Sequence, residues 1–147
     1  METERNILED ADRIGDLVRS ARRIVVLGIK TERQRLQPAF YVPAYLKSAG
    51  AEIIPVPVYY PDVQEILGER VHRRLTDVPG PVDIVDVFRR PSHISQHLED
   101  LVTLRPRAVW FQAGIRNEAV ARSLASAGIL VVQDRCLMVE WRRAHFG

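Results

Sequence analysis

The chain has 147 residues, of which 46% are hydrophobic and 27% charged, and its formal net charge is +2. This composition is typical of one folded domain with a real core, and it excludes a disordered chain. No apolar run reaches the roughly 20 residues of a membrane span, and so small a net charge gives no reason to expect nucleic acid as a partner. A single cysteine leaves no internal disulfide, so we expect a cytoplasmic location without membrane attachment.

The first third of the chain predicts helix, strand and helix in turn. An amphipathic stripe predicts an N-terminal helix over about residues 4–21. The apolar run RIVVLG at 23–28 predicts the first strand, and FYVPAYLKSAG at 40–50 predicts the next helix. Because proline is best tolerated in a first turn, Pro43 predicts that this helix starts near residues 39–42.

The remainder of the chain continues the alternation. AEIIPVPV at 51–58 predicts the second strand, and ERVHRRL at 69–75 predicts a minor extra one. Three further apolar runs predict strands, at 82–88, 107–112 and 129–133. Helical patterns separate or follow them, at 91–105, at 116–127 and from about 137.

Near-continuous apolar strands joined by helices predict a parallel sheet that is covered on both faces. The right-handed crossover rule then favours a Rossmann-like, doubly wound α/β fold with a mainly parallel sheet of five to six strands. No linker or repeat interrupts residues 1–147, so we expect a single domain.

In such a sheet, ligands bind beyond the carboxyl ends of the strands. Cations follow four of the five predicted strands there, namely Lys30, Arg89 with Arg90, Arg116 and Arg135. Glycines at 28 and 114 permit close backbone approach at two of these ends. We therefore expect an anionic ligand in this crevice.

The pattern for NAD is incomplete. A dinucleotide site needs G-x-G-x-x-G after the first strand and an acidic residue about 20 residues later. Gly28 is followed by IKTER without a second glycine, and the second strand ends in Pro57-Val58. A basic turn after a single glycine suits a ligand with more phosphate charge, and CoA is one of several such ligands.

Several segments resemble a family of small single-domain CoA-binding proteins, which are similar to the N-terminal domain of the succinyl-CoA synthetase α subunit. They are IVVLG, YVPAYLKSAGAEIIPV, PVDIVDVFRRP, AVWFQAGIRNEAV and VVQDRCLMVE, in the order found in that family. The resemblance covers roughly residues 15 to 143. It implies a Rossmann-like fold that binds CoA in the crevice at the strand ends.

The resemblance also implies roles for particular segments. The turn after Gly28 would hold the phosphates, the end of the second strand the adenosine, and residues 87–90 and 112–118 the rest of CoA. We expect Lys30, with Arg33 or Arg35, to neutralise the 3′-phosphate. The predicted binding residues are Gly28, Ile29, Lys30, Arg33, Arg35, Tyr41, Val42, Val56, Pro57, Val58, Val87, Phe88, Arg89, Arg90, Gln112, Gly114, Ile115, Asn117 and Cys136.

Two departures from the family pattern keep an alternative open. The turn IKTERQRLQP is longer than the family's usual one, and Pro57-Val58 stands where the family has Asn-Pro. Loss of that asparagine favours a ligand-free interaction or regulatory module of the same fold. An NAD(H)-responsive domain is a weaker alternative, and the sequence leaves a protein partner or homo-oligomer open.

We expect a binding protein and not an enzyme. The sequence contains no nucleophile elbow, Walker loop or carboxylate pair. His93 and His97 have the i, i+4 spacing of metal ligands, but a third ligand is lacking and we expect no metal. Cys136 is either a small buried residue or a crevice thiol, whose thiolate Arg135 would favour and which would form a mixed disulfide with CoA.

Overall fold

The computed structural model describes residues 2–147, so Met1 of the expected 1–147 domain lies outside the described residues. Its α-helices are α1 (Glu2–Arg5), α2 (Ala11–Ser20), α3 (Pro38–Ser48), α4 (Leu98–Leu104), α5 (Glu118–Ser126) and α6 (Leu137–Phe146). Its strands are β1 (Arg23–Leu27), β2 (Glu52–Val56), β3 (Glu65–Ile66), β4 (Glu69–Arg70), β5 (Ile84–Val87), β6 (Ala108–Phe111) and β7 (Leu130–Val132). Short 3-10 helices span Glu32–Gln34, Leu75–Asp77 and Pro91–His97.

Five strands form one parallel sheet in the order β2-β1-β5-β6-β7. The chain moves outward from β1 to β2, then returns past β1 and continues from β5 to β7. The direction of winding therefore reverses between β1 and β5, which are adjacent in the sheet. This arrangement confirms the prediction of a Rossmann-like, doubly wound α/β fold.

The sheet carries a separate apolar layer on each face, because side chains alternate along every strand. Ile24 and Val26 of β1 face the layer that includes α2, α3 and α6, whereas Val25 and Leu27 face the layer that includes α4 and α5. All four side chains are at most 2% exposed. Burying an aliphatic side chain of this size contributes about 1.5–3 kcal/mol, so the strands are held mainly by these two layers.

The prediction of one N-terminal helix over 4–21 is wrong. The helix is interrupted at Ile7, which forms a parallel bridge with Val131 at the free edge of β7. The N–H of Leu8 also donates to the Val131 carbonyl at 2.8 Å. Asp10 then caps α2 by accepting from the N–H of Arg13 at 2.7 Å. Pairing with an exposed strand edge therefore takes precedence over the helical stripe in this segment.

Helix α3 begins earlier than the predicted 39–42. Pro38 occupies its first turn, and Pro43 lies inside the helix. A proline has no N–H for the carbonyl four residues earlier, so the carbonyl of Ala39 lacks its helical donor. The N–H of Lys30 donates to that carbonyl at 3.1 Å. The proline is therefore tolerated because the turn after β1 supplies the missing hydrogen bond.

The predicted extra strand is a short hairpin outside the main sheet. β3 and β4 pair antiparallel through Glu65 with Arg70 and Ile66 with Glu69. Residues 71–75 do not continue the strand and lead into the 3-10 helix Leu75–Asp77. None of the helices within residues 2–147 has both the length and the apolar character that a membrane crossing requires.

Candidate functional site

The carboxyl ends of β1 and β5 meet where the winding of the sheet reverses, which is the usual place for a ligand crevice in this architecture. Gly28 follows β1 with φ of +84°, a conformation that favours glycine. A Cβ at this position would overlap the backbone carbonyl of Phe88, which follows β5. The N–H of Gly28 donates to the Val56 carbonyl at 2.9 Å. Gly28 therefore allows three strand ends to come together.

The turn after Gly28 is fixed by its own hydrogen bonds. Thr31 and Gln34 form a capping box, in which the N–H of Thr31 donates to Gln34 Oε1 at 3.1 Å. The Thr31 hydroxyl also donates to this oxygen, at 2.7 Å. The carboxylate of Glu32 accepts from the N–H of Leu67 at 2.8 Å and ties the turn to the β3–β4 hairpin. Since Gly28 and Lys30 also direct their N–H groups to protein carbonyls, these two amides are already engaged within the protein.

A first cavity, cavity A, lies between the start of α3 and the ends of β5 and β6, and its volume is about 610 Å³. Nine of the predicted residues line it, namely Lys30, Tyr41, Val42, Phe88, Arg89, Arg90, Gln112, Ile115 and Cys136. The sequence interpretation missed Gln37, Pro38, Ala39, Pro91 and Ala113. Pro91 and Ala113 each adjoin a predicted residue in the sequence. Gln37, Pro38 and Ala39 form the N-cap and the start of α3, so the correct start of this helix would have indicated these three.

A second cavity, cavity B, lies beyond the ends of β1 and β2, and its volume is about 530 Å³. Val56, Pro57 and Val58 were predicted and line it. The sequence interpretation missed Leu27, Tyr59, Pro61, Arg73, Arg74, Leu75, His97 and Asp100. Tyr59 directly follows the second strand and could have been included, whereas Arg73 and Arg74 carried no signal because their segment reads as a minor strand.

Arg89 joins the two cavities. It lines cavity A and is only 9% exposed. Its Nε donates to His97 Nε2 at 3.2 Å and its Nη1 to the Tyr59 hydroxyl at 3.4 Å, and both partners line cavity B. The guanidinium carbon also lies 5.8 Å from the centre of the Tyr59 ring. One buried cation therefore forms part of the boundary between the cavities.

The titration of the neighbouring groups reflects this positive charge. The hydrogen bond from Arg89 and the charge of Arg89 lower the pKa of the Tyr59 hydroxyl, and Arg90 and Lys30 lower it further. Burial and then the charge of Arg89 lower the pKa of His97, although Asp100 opposes this effect. A neutral His97 can accept the hydrogen bond from Arg89, whereas a protonated one cannot.

The remaining predicted residues lie away from the cavity surfaces. Ile29 and Val87 are core residues that are at most 1% exposed. Gly114 donates its N–H to Asp134 at 2.6 Å, and Asn117 caps α5 by accepting from Val120 at 3.0 Å. Ile29 and Val87 therefore belong to the core, whereas Gly114 and Asn117 fix the loop before α5.

The structure separates Lys30 from Arg33 and Arg35, one of which was expected to bind the 3′-phosphate together with Lys30. Lys30 lines cavity A, while Arg33 lines a different cavity together with Glu32, Asp62 and Glu65. Arg35 is exposed and lines neither cavity A nor cavity B.

The fold and the crevice define a Rossmann-like α/β protein with two cavities at the strand ends. Residues 22–142 match the family model described as "CoA binding domain", so the chain belongs to this family. It is 32% identical to the Bacillus subtilis protein YneT over 126 residues, which cover 86% of this chain and 90% of YneT.

Solved structures show the same fold. A Thermus thermophilus protein is 41% identical with a TM-score of 0.84, and the match covers 92% of this chain and 99% of that one. A Pyrococcus horikoshii protein is 26% identical with a TM-score of 0.82, and the match covers 92% of each chain.

Proposed function

We propose that this protein binds CoA or an acyl-CoA across the carboxyl edge of the sheet and holds it without catalysing a reaction. Membership of the CoA-binding domain family supports the ligand. The volumes of cavities A and B, about 610 and 530 Å³, are within the range of small-molecule sites. Cavity A, with Val42, Phe88 and Ile115 in its lining, suits the pantetheine arm, and cavity B suits the adenosine.

The observation that carries the proposal is the buried guanidinium of Arg89. A charge removed from water is costly unless a counter-charge compensates it. Within residues 2–147 Arg89 has no carboxylate partner, and its hydrogen-bond acceptors are a histidine ring and a tyrosine hydroxyl. The pyrophosphate of CoA, placed between the two cavities, would provide the missing negative charge.

The engagement of the polar side chains supports a binding role over a catalytic one. His97 accepts from Arg89, and Asp100 lies 3.0 Å from an Arg74 nitrogen. Gln112 accepts from the N–H of Leu137 at 2.9 Å. Each of these groups holds another part of the protein in position, whereas a general acid or base needs contact with the reacting group.

Isothermal titration with CoA tests the proposal. Arg89→Ala should weaken binding by about 10- to 150-fold, because a hydrogen bond to a charged group contributes about 1.5–3 kcal/mol. The variant should also show a shallower dependence of affinity on salt concentration, since one charge contact is lost. Arg122→Ala is the matched control, because Arg122 is exposed on α5 and lines neither cavity. Equal binding by the parent and Arg89→Ala at low and high salt would contradict the assigned role of Arg89.

Two further measurements address the ligand and the absence of catalysis. Native mass spectrometry of freshly purified protein should reveal CoA or an acyl-CoA, and acetyl-CoA incubated with the protein should be recovered intact. Turnover above the protein-free rate would contradict the non-catalytic role. A site that is empty and that CoA cannot fill would favour the interaction module.

A further inference from the structure

Cavity B contains one paired arginine. The Nη2 atom of Arg74 lies 3.0 and 3.3 Å from the two carboxylate oxygens of Asp100. The Arg74 side chain is nevertheless 65% exposed, against 26% for Asp100. Only Nη2 contacts the carboxylate, so the other guanidinium nitrogens can donate hydrogen bonds to a second anion.

A second arginine of cavity B has no carboxylate to neutralise it. Arg73 Nη1 donates to the Tyr60 carbonyl at 3.1 Å, and Nη2 donates to the carbonyl of Pro61 at 3.1 Å and to that of Val63. Within the described chain no acidic side chain forms an ion pair with it. The carbonyls therefore fix the position of Arg73 while its charge stays uncompensated, and cavity B has more positive than negative side chains.

The remaining lining of the cavity is largely apolar. Val56, Pro57 and Leu75 are buried residues of its lining, and Val58 is half-buried. The ring of Tyr59 is 62% exposed beside them. A lining that combines apolar residues with two arginines suits a ligand that has an aromatic base at one end and an anionic group at the other.

We infer that cavity B takes the 3′-phosphoadenosine end of CoA, and that Arg74 and Arg73 bind its ribose 3′-phosphate. The inference rests on the proposed function and adds the residues that distinguish CoA from dephospho-CoA. It assigns the 3′-phosphate to the segment before the 3-10 helix Leu75–Asp77, and not to the turn at residues 30–35. Arg33 in that turn shares its cavity with three acidic residues, which disfavour a phosphate there.

Titration of CoA and dephospho-CoA into matched variants tests the inference. The parent should prefer CoA by about tenfold or more, which is the value of one charge-assisted hydrogen bond. Arg74→Ala should lose most of this preference through weaker CoA binding, while its affinity for dephospho-CoA stays within about twofold. Asp100→Asn should change the preference in the opposite direction, because it removes a carboxylate that competes for Arg74 and repels the phosphate.

The control variants separate this assignment from its alternatives. Arg122→Ala should keep the preference of the parent for CoA. Lys30→Ala should lower the affinities for CoA and for dephospho-CoA by the same factor. If Lys30→Ala or Arg33→Ala abolishes the preference while Arg74→Ala keeps it, the 3′-phosphate lies at the turn and the inference is wrong. If the parent binds both ligands equally, the inference fails but the proposed function stands. If neither ligand binds, both fail.

Discussion

Asp86 provides a test of how this sheet tolerates a buried acid. The residue lies in β5, between Val26 of β1 and Trp110 of β6, and its side chain is 0% exposed. Neither carboxylate oxygen has a hydrogen-bond partner among the described residues. Burial raises the pKa of Asp86 well above its ordinary value of 3.8, and the folded protein therefore favours the neutral acid.

The sign and slope of the effect follow from proton linkage. Well below its ordinary pKa the carboxyl is protonated in both the folded and the unfolded state, so it adds no pH dependence. Between the ordinary pKa and the raised pKa, the folded state binds more protons than the unfolded state. The free energy of unfolding should therefore fall by about 1.4 kcal/mol per pH unit as the pH rises through this window, and then level off.

Replacement of Asp86 by Asn removes this slope because an amide cannot ionise. The measurement is urea denaturation of the parent and Asp86→Asn at pH values from 4 to 8. The amide adds a constant cost of about 1–3 kcal/mol for its buried N–H groups, so the informative quantity is the change of the stability difference with pH. That difference should shift in favour of the variant as the pH rises.

Asp83→Asn is the matched control in the same segment. The carboxylate of Asp83 accepts from the N–H groups of Arg22 and Arg23, each at 2.8 Å, so its replacement should lower stability by about 1.5–3 kcal/mol at neutral pH. A stability difference for Asp86→Asn that stays constant from pH 4 to 8 would show that Asp86 has the same pKa in both states, and would refute the argument from burial.

Three further predictions concern the crevice. Gly28→Ala should lower the free energy of unfolding by more than 1–2 kcal/mol in thermal denaturation, because it combines a φ of +84° with a backbone overlap. Gly114→Ala, with a φ of +82° but open space, should cost less, and equal losses would exclude the overlap as the cause. The pKa of His97 in the folded protein is lowered from 6.5, so as the pH falls the histidine is protonated in the unfolded chain before it is protonated in the folded one. The free energy of unfolding should therefore fall as the pH drops through about 6.5 towards the folded-state pKa. His97→Gln, which cannot be protonated but can still accept from Arg89, should lack that loss in urea denaturation, and an unchanged pH profile would contradict the role of His97. Alkylation of Cys136 by a maleimide, followed by mass spectrometry, should slow about tenfold when CoA is present at ten times its Kd, and an unchanged rate would show that CoA leaves the Cys136 side of cavity A open.

Local sequence patterns were sufficient for the sheet and for much of cavity A. Strands of a parallel sheet are apolar on both faces, and the runs RIVVLG, VDIVDVF and RAVWFQ contain the observed strands β1, β5 and β6. Glycine or arginine follows each of these strands within a few residues. Because parallel strands end at one edge, the chain order alone predicted that Lys30, Arg89 and Gln112 would line a common crevice.

Contacts between distant segments decided the rest. The stripe at 4–21 is helical in its periodicity, yet Ile7 pairs with Val131 because the edge of β7 offers free hydrogen-bonding groups. Pro43 lies inside α3, and the N–H of Lys30 donates to the Ala39 carbonyl that the proline leaves without a helical donor.

Cavity B depended most on the tertiary structure. Arg73 and Arg74 line cavity B at the end of β2 from a loop that follows β4, and Asp100 comes from α4. The spacing of such residues follows no period, since loops and helices of different lengths bring them together. The sequence by itself therefore determined the fold class and the edge of the sheet at which cavities A and B open, whereas the packing of separate elements decided which charged side chains line them.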